Sequence, residues 1–293
     1  MSLSDGEHEA DEPSPVGGRD DTLIRRRARP TELHTDRPHS ARMYDYYLDG
    51  KTNYPADREA AEQVLATFPS AGITARQNRA FLGRATRHLA QAGVEQFLDV
   101  GAGIPTSPNL HEVAQSVTPR ARVVYADNDP IVLAHARALL ASSPEGATAY
   151  LEADLRRPAD ILASHELAET LDLSRPVGLS LLAVLHFVPD ADDPTAIVRE
   201  LVDALPAGSY LMLSHATADF VPAETTHRNT DVYQRRGIPF QARDRAQVAA
   251  LVPDTMEIID PGVTSVHRWH PDAQPADYSD AEISTYGLVA RKR

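Results

Sequence analysis

The sequence predicts an α/β fold: a doubly wound, mostly parallel sheet that ends in an antiparallel strand and carries a helical extension at its N-terminus. Three observations predict it. From residue 94 onward, short apolar runs alternate with segments of helical period, the rhythm of strands joined by crossover helices. A glycine turn, Gly101-Ala102-Gly103, interrupts the first strand-to-helix junction. Near the C-terminus the rhythm stops: MEIIDPG and ISTYGLVARK are strand-like but joined by a polar loop without helical period, so they pair most simply as an antiparallel hairpin.

Taken in order, residues 1–36 hold few large apolar side chains, and an acidic block from Asp5 to Glu12 precedes a basic one from Arg25 to Arg29. Too little surface can be buried there to offset the entropy of ordering, so this stretch reads as a disordered, solvated tail. Residues 37–93 read as a helical extension that packs on the core as a lid. Val64, Leu65 and Phe68 form one apolar stripe, and Phe81, Leu82, Ala85, Leu89 and Ala92 a second, with Thr74 able to cap that helix and Gly93 to end it. Residues 94–293 are the core. QFLDV, RVVYA, TAYLEA, VGLSLLAVL and SYLMLS read as its strands, and the fourth is apolar enough to be buried on both faces. NLHEVAQSV, PIVLAHARALLASS and PTAIVRELVDAL are helices between them, Asp129 and Asp193 capping the last two ahead of a proline in the first turn. Trp269, in the C-terminal loop, reads as a staple that holds the hairpin onto the sheet.

The bulk numbers narrow the function. A chain of 293 residues with 42% hydrophobic side chains suits one large α/β domain with extensions. A formal charge of −13 and a pI near 5.3 argue against a nucleic-acid partner, which a basic face normally advertises. A small or cationic substrate suits the balance better. There is no cysteine, so disulfides, thiolate zinc sites and cysteine nucleophiles are excluded and a reducing compartment fits. No apolar run approaches the roughly 20 residues that span a bilayer, and the first residues lack signal-peptide character, so the expectation is a cytoplasmic protein without a membrane partner. His267, His270 and Asp272 lie close in sequence, but without a companion cluster no metal is expected.

The glycine turn names a ligand. Gly101 and Gly103 follow a buried strand and precede a helix, where missing side chains let the main chain approach a bound molecule. The pair alone is a weak signal. The next strand, however, runs into Asp127, a carboxylate placed to accept hydrogen bonds from two ribose hydroxyls, and together these features indicate adenosine. A dinucleotide site would aim free N–H groups at a pyrophosphate through G-x-G-x-x-G; here Pro105 removes a donor and Thr106 stands where the third glycine belongs. S-adenosylmethionine carries no phosphate and fits the turn better. Asp154 could cap a turn before Pro158, but its place past the third strand favours accepting from the adenine amino group, and Leu155 can offer an N–H and an apolar edge to the ring.

FLDVGAG, YADNDP, LEADL, LAVLHFVPD and YGLVARK resemble the class I S-adenosylmethionine-dependent methyltransferases, whose Rossmann-like sheet ends in an antiparallel strand. More narrowly, SARMYDYYLDGKTNYPADREAAEQVLATFP, NRAFLGRA and FLDVGAGIPTSPNLHEVAQSV are similar to a bacterial methyltransferase-like group with no assigned substrate. The resemblance spans about residues 38–293. It implies that Gly101 and Gly103 line the methionyl and ribose side, Asp127 binds the ribose, Asn128 lies against adenine, and Asp154 with Leu155 holds the adenine edge. Asp99 orders the loop or reaches the amino group through water.

Methyl transfer needs alignment and, for some acceptors, a base. His186, where the fourth strand ends, is the candidate base; shaping the pocket or bonding to backbone is its other role, and His215 is a second candidate. By the same resemblance, Tyr44, Tyr46, Tyr47 and Asn53 lie in a segment able to fold over the cofactor, with packing of the first helices as their other role, and Asn78 and Arg79 could reach the cofactor carboxylate. The acceptor is expected to be a small molecule. Two alternatives remain: a cofactor-binding sensor or partner without transferase activity, and a nicotinamide-dependent oxidoreductase, the latter disfavoured by Pro105, Thr106 and the antiparallel ending.

Overall fold

The computed structural model describes residues 33–139, 141–272 and 277–293. The expected tail therefore falls almost wholly outside the described residues. In chain order the elements are α1 (Ser40–Tyr47), α2 (Pro55–Thr67), α3 (Ala71–Gln91), β1 (Gln96–Val100), α4 (Leu110–Val117), β2 (Arg122–Asp127), α5 (Pro130–Leu139), β3 (Ala147–Glu152), α6 (Pro158–Leu162), α7 (His165–Thr170), β4 (Gly178–Leu182), α8 (Pro194–Asp203), β5 (Tyr210–Ala216), α9 (Ala223–Arg235), α10 (Arg245–Ala250), β6 (Met256–Ile258), β7 (Thr264–Ser265), α11 (Asp280–Ile283) and β8 (Thr285–Lys292).

The sheet order is β3-β2-β1-β4-β5-β8-β6, with β7 also on β8. Strands β1 to β5 are parallel, and β8 runs antiparallel to β5 and to both β6 and β7. The order reverses between β1 and β4, so their carboxyl ends diverge and leave a crevice. Alternate side chains along each strand feed two separate cores. Leu98, Val100 and Val124 pack with Ile161, Val198 and Val248 on one face, while Phe97, Val123 and Met212 pack with Phe81, Leu110 and Trp269 on the other. Helices cover both faces, which is why the strands read as near-continuous apolar runs.

Several boundaries differ from the sequence reading. α3 starts at Ala71, a turn before Thr74, whose hydroxyl instead donates to the carbonyls of Glu282 and Ile283 and ties the helix to α11. β4 stops at Leu182 because Ala183 turns left-handed (φ +52°), and Leu185–Phe187 form a 3-10 turn. The loop after Ile258 holds β7 and α11, and α1, α6, α7, α9 and α10 are helices that the apolar periodicity does not mark. Trp269 is fully buried edge-on against Phe81 of α3, and the buried Arg84 donates to the carbonyls of Trp269 (2.8 Å) and Val266 (2.7 Å). That is the expected staple.

Helices α1, α2 and α9 roof the carboxyl ends of the strands with an apolar cluster of their own, which includes Met43, Tyr47, Ala60, Val64 and Tyr233. An ionic contact binds this roof to the sheet. Arg42 of α1, itself buried, lies 3.0 Å from the Asp129 carboxylate beyond β2 and 3.5 Å from that of Asp57 in α2. Asp57 also accepts from the N–H groups of His39 and Tyr54, and Asp129 Oδ1 from that of Ile131, whereas Asp129 Oδ2 has no hydrogen-bond partner among the described residues and depends on its ionic contact with Arg42. Removing one partner of a buried ion pair strands the other charges. Arg42→Ala should cost about 3–5 kcal/mol of folding stability in urea denaturation; a loss near zero would mean that this contact does not hold the roof.

Candidate active site

The site begins where β1 ends. Gly101 (φ +79°) and Gly103 (φ +67°) are both left-handed, a conformation glycine adopts without strain. The N–H groups of Gly101 and Ala102 donate to the carbonyl of Ala126, tying the turn to β2. A Cβ on Gly101 would lie 2.5 Å from Val184 Cγ2. The left-handed Ala183 is what carries Val184 over the turn, so β1 and β4 form one wall.

Below the turn lies Asp127. Its carboxylate is buried and accepts from Gly103 N–H (2.8 Å) and Asp129 N–H (2.9 Å), facing the turn. Burial raises its pKa, against the pull of those two N–H groups and of His39. Asp99 is buried beside it. Desolvation pushes its pKa up to about 6, the Ser180 hydroxyl on β4 and the Arg79 guanidinium working the other way and the neighbouring Asp127 with it.

Two adjoining hollows form one groove across the strand ends. The first, about 680 Å³, lies between Asp99, Gly101, Gly103 and Asp127 and the roof residues His39, Tyr44 and Arg79. The second, about 1060 Å³, continues past Asp127 and Asn128 to Asp154 and Leu155. The structure thus brings together Asp99, Gly101, Gly103, Asp127, Asn128, Asp154, Leu155 and Arg79. Asp154 is paired with the Arg156 side chain (Nη2–Oδ2 2.5 Å), which holds its carboxyl below the usual range. Arg79 donates to the carbonyls of Thr106 and Pro108, bracing the loop after the turn, with its guanidinium on the groove.

Two sequence candidates lie elsewhere. Tyr46 faces away from the groove and donates to Glu62 (3.1 Å), because on an eight-residue helix it points to the side opposite Tyr44, and Tyr44 is the tyrosine that lines the groove. Asn53 is buried in the turn between α1 and α2, where its amide donates to Asp45 (2.7 Å) and the carbonyl of Gly50 (2.9 Å). Sequence reasoning missed His39, Ala183 and Val184. His39 caps α1 in a pattern where serine or aspartate would be the readable signal, and nothing local marks an alanine as left-handed.

A third hollow, about 870 Å³, adjoins the groove through Tyr44, Asn78, Ala183 and Phe187 and runs under the roof to α9. His186 lines it, buried, and the N–H of Ala216 points at its Nδ1 from 3.4 Å. Burial first, then His215 and Arg243, hold the His186 pKa well below its usual value, so the ring is neutral. His215 is locked: Nδ1–H donates to the carbonyl of Ala216 (2.7 Å), and Nε2 accepts from Arg243 (2.8 Å), which also pairs with Asp190 (2.6 Å). Among the described residues no group of three His, Asp or Glu side chains is placed to hold a metal ion, and no helix is long and apolar enough to cross a membrane.

The groove suits a phosphate-free cation. The N–H groups of Gly101, Ala102, Gly103 and Thr106 are all taken by protein acceptors, Pro105 has none, and two buried carboxylates face the turn. A pyrophosphate would meet negative charge where it needs donors. A parallel sheet closed by antiparallel strands, with such a turn at its switch point, defines a class I methyltransferase fold. The chain belongs to the S-adenosyl methyltransferase family, whose model matches residues 26–293. It is similar to the crystal structure of a DUF574 family protein from Streptomyces avermitilis, at 50% identity over 89% of this chain and 100% of that one, with a TM-score of 0.86. It is also similar to that of a "putative methyltransferase" from Thermobifida fusca, at 37% identity over 89% of this chain and 97% of that one, TM-score 0.81. No curated protein matches the chain at a significant level. The protein is an S-adenosylmethionine-dependent methyltransferase, and nothing in these likenesses favours a sensor or an oxidoreductase.

The raised Asp99 pKa has a pH signature. An acid whose pKa is higher in the folded than in the unfolded chain adds stability fully present below the unfolded value, near 3.8, and lost as pH rises through about 6. Ligand-free protein should lose that stability between those values, whereas affinity for S-adenosylmethionine, a cation, should rise over the same interval and level off above pH 7. Calorimetry across pH 5–8 measures this, and an affinity that does not change would separate Asp99 from the ligand.

Proposed function

We propose that the enzyme methylates a small molecule bound in the hollow under the roof, while the groove over β1, β2 and β3 holds the cofactor. The observation that carries this reading is the continuity of the two spaces through Ala183, Asn78 and Tyr44. In this assignment Asp127 takes the ribose hydroxyls, Asp154 and Leu155 the adenine edge, and Asn128 the ring face. Asp99 and Arg79 sit toward the amino acid end. S-adenosylmethionine supplies a methyl group on a cationic sulfur that departs as a neutral thioether. The chain's own contribution is to align the acceptor, exclude water and manage one proton. A net charge of −13 supports a small-molecule acceptor over nucleic acid, and a cytoplasmic setting belongs to the same proposal.

His186 has a specific part. With an amide N–H facing Nδ1, the neutral ring carries its proton on Nε2. That nitrogen offers a hydrogen bond to the acceptor atom, and taking a proton there would require the Ala216 contact to give way. His186 is therefore a positioning donor before it is a base.

Two measurements test the assignment. Asp127→Ala should weaken S-adenosylmethionine binding by roughly 1–3 kcal/mol in calorimetry; unchanged affinity would remove the ribose role. His186→Ala should leave cofactor affinity unchanged but slow release of S-adenosylhomocysteine in the presence of a small-metabolite extract at least tenfold, and His186→Gln, which keeps a donor, should recover part of that rate. Full activity in the alanine variant would reduce His186 to packing.

A further inference from the structure

The hollow under the roof is unlike the groove beside it. Among the described residues no Asp, Glu, Lys or Arg side chain lines it, and its histidine is neutral. One wall is an aromatic cluster: Tyr233 and Phe240 stack at 4.9 Å and 13°, and His186 packs against Phe187 at 4.3 Å and Phe240 at 5.5 Å. Such a wall offers flat faces and ring edges to another ring. A charged acceptor would lose its hydration here and find no opposite charge on the protein walls, a cost of several kcal/mol. Of the fully buried side-chain polar atoms on the described residues that line the hollow, one has no hydrogen-bond partner: Thr226 Oγ1, on α9. Buried hydroxyls are normally paired, and a turn about its χ1 would bring this one onto a ligand group.

The proton balance narrows the acceptor further. No carboxylate reaches the hollow, and His186 Nε2 already bears a proton, so the acceptor must supply its own acidity. An aryl hydroxyl, with a pKa of about 10, can do so; an aliphatic alcohol cannot.

We propose, resting on the assignment of this hollow to the acceptor, that the substrate is an uncharged, flat hydroxyarene methylated on its hydroxyl oxygen, with a second polar substituent for Thr226. The hydroxyl proton passes to solvent, and the oxygen, steadied by His186 Nε2–H, uses a lone pair to form the bond to the methyl carbon. The methyl–sulfur bond breaks, its electron pair remains on sulfur, and a neutral aryl methyl ether and S-adenosylhomocysteine result.

Three probes of one size test the proposal: 2-naphthol, 6-hydroxy-2-naphthoate, which adds a carboxylate, and decahydro-2-naphthol, which is neither flat nor acidic. Each is titrated calorimetrically into full-length enzyme saturated with S-adenosylhomocysteine, then incubated with methyl-labelled S-adenosylmethionine. The expected result is that 2-naphthol binds at least tenfold more tightly than the other two and alone becomes a labelled methyl ether. Phe240→Ala should weaken 2-naphthol at least fivefold and leave S-adenosylhomocysteine affinity unchanged. Equal or tighter binding of the naphthoate or the saturated alcohol overturns the proposal, as does binding of 2-naphthol without transfer, or no binding at all while S-adenosylhomocysteine binds. Failure to bind S-adenosylhomocysteine would instead overturn the cofactor assignment beneath it.

Discussion

The groove over the strand ends depends on one constraint: a carboxylate kept out of water directly under a bend of main chain. Burial works against the charged form of Asp127, and the donors that offset it are the N–H groups of Gly103 and Asp129. The first requires the turn to double back over β2, which needs left-handed residues at 101 and 103. The second requires the chain after β2 to curl immediately, which places Asp129 at the head of α5 and within reach of Arg42. The glycine turn, the sheet and the roof thus meet at a single pair of neighbouring acids. Strain at Ala183 completes the wall from the other side by bringing Val184 against Gly101.

Polarity then divides the space at the strand ends. The groove carries two carboxylates whose pKa values are raised by burial, a cost that a cation bound there would offset. The adjoining hollow carries none. In the proposed assignment a charged donor and an uncharged acceptor meet at the partition between the two spaces, formed by Tyr44, Asn78, Ala183 and Phe187, without either losing its own solvation to the other's walls. Asn78 is fixed there by its bonds to the Tyr44 hydroxyl and the Ser214 hydroxyl.

How much of this the sequence disclosed follows the range of each signal. The turn and Asp127 were legible because strand, glycine pair and acid follow one another between Gln96 and Asp127 and obey local rules of backbone freedom. Asp99, Asp154 and Leu155 followed once the strand ends were placed. The tyrosines were legible as a set but not singly: three aromatic residues on an eight-residue helix leave its buried face undecided until the roof is packed, and of them Tyr44, not Tyr46, came to the groove. Asn53 looked functional but serves a turn. The aromatic hollow was least legible, since α1, α2, α3, the end of β4 and α9 each contribute only one to a few residues to it. α9 itself carries almost no apolar stripe, with Tyr233 its single buried residue, so periodicity had nothing to detect.

The small apolar cluster of the roof is separate from the two cores that hold the sheet. Elements with their own modest core can open while the rest of the fold stays shut. The amides of α1, α2 and α9 will thus exchange with solvent through local openings, at protection below that of β1 and β4, and it is the breathing of this canopy, rather than any movement of the sheet, that uncovers the hollow beneath it.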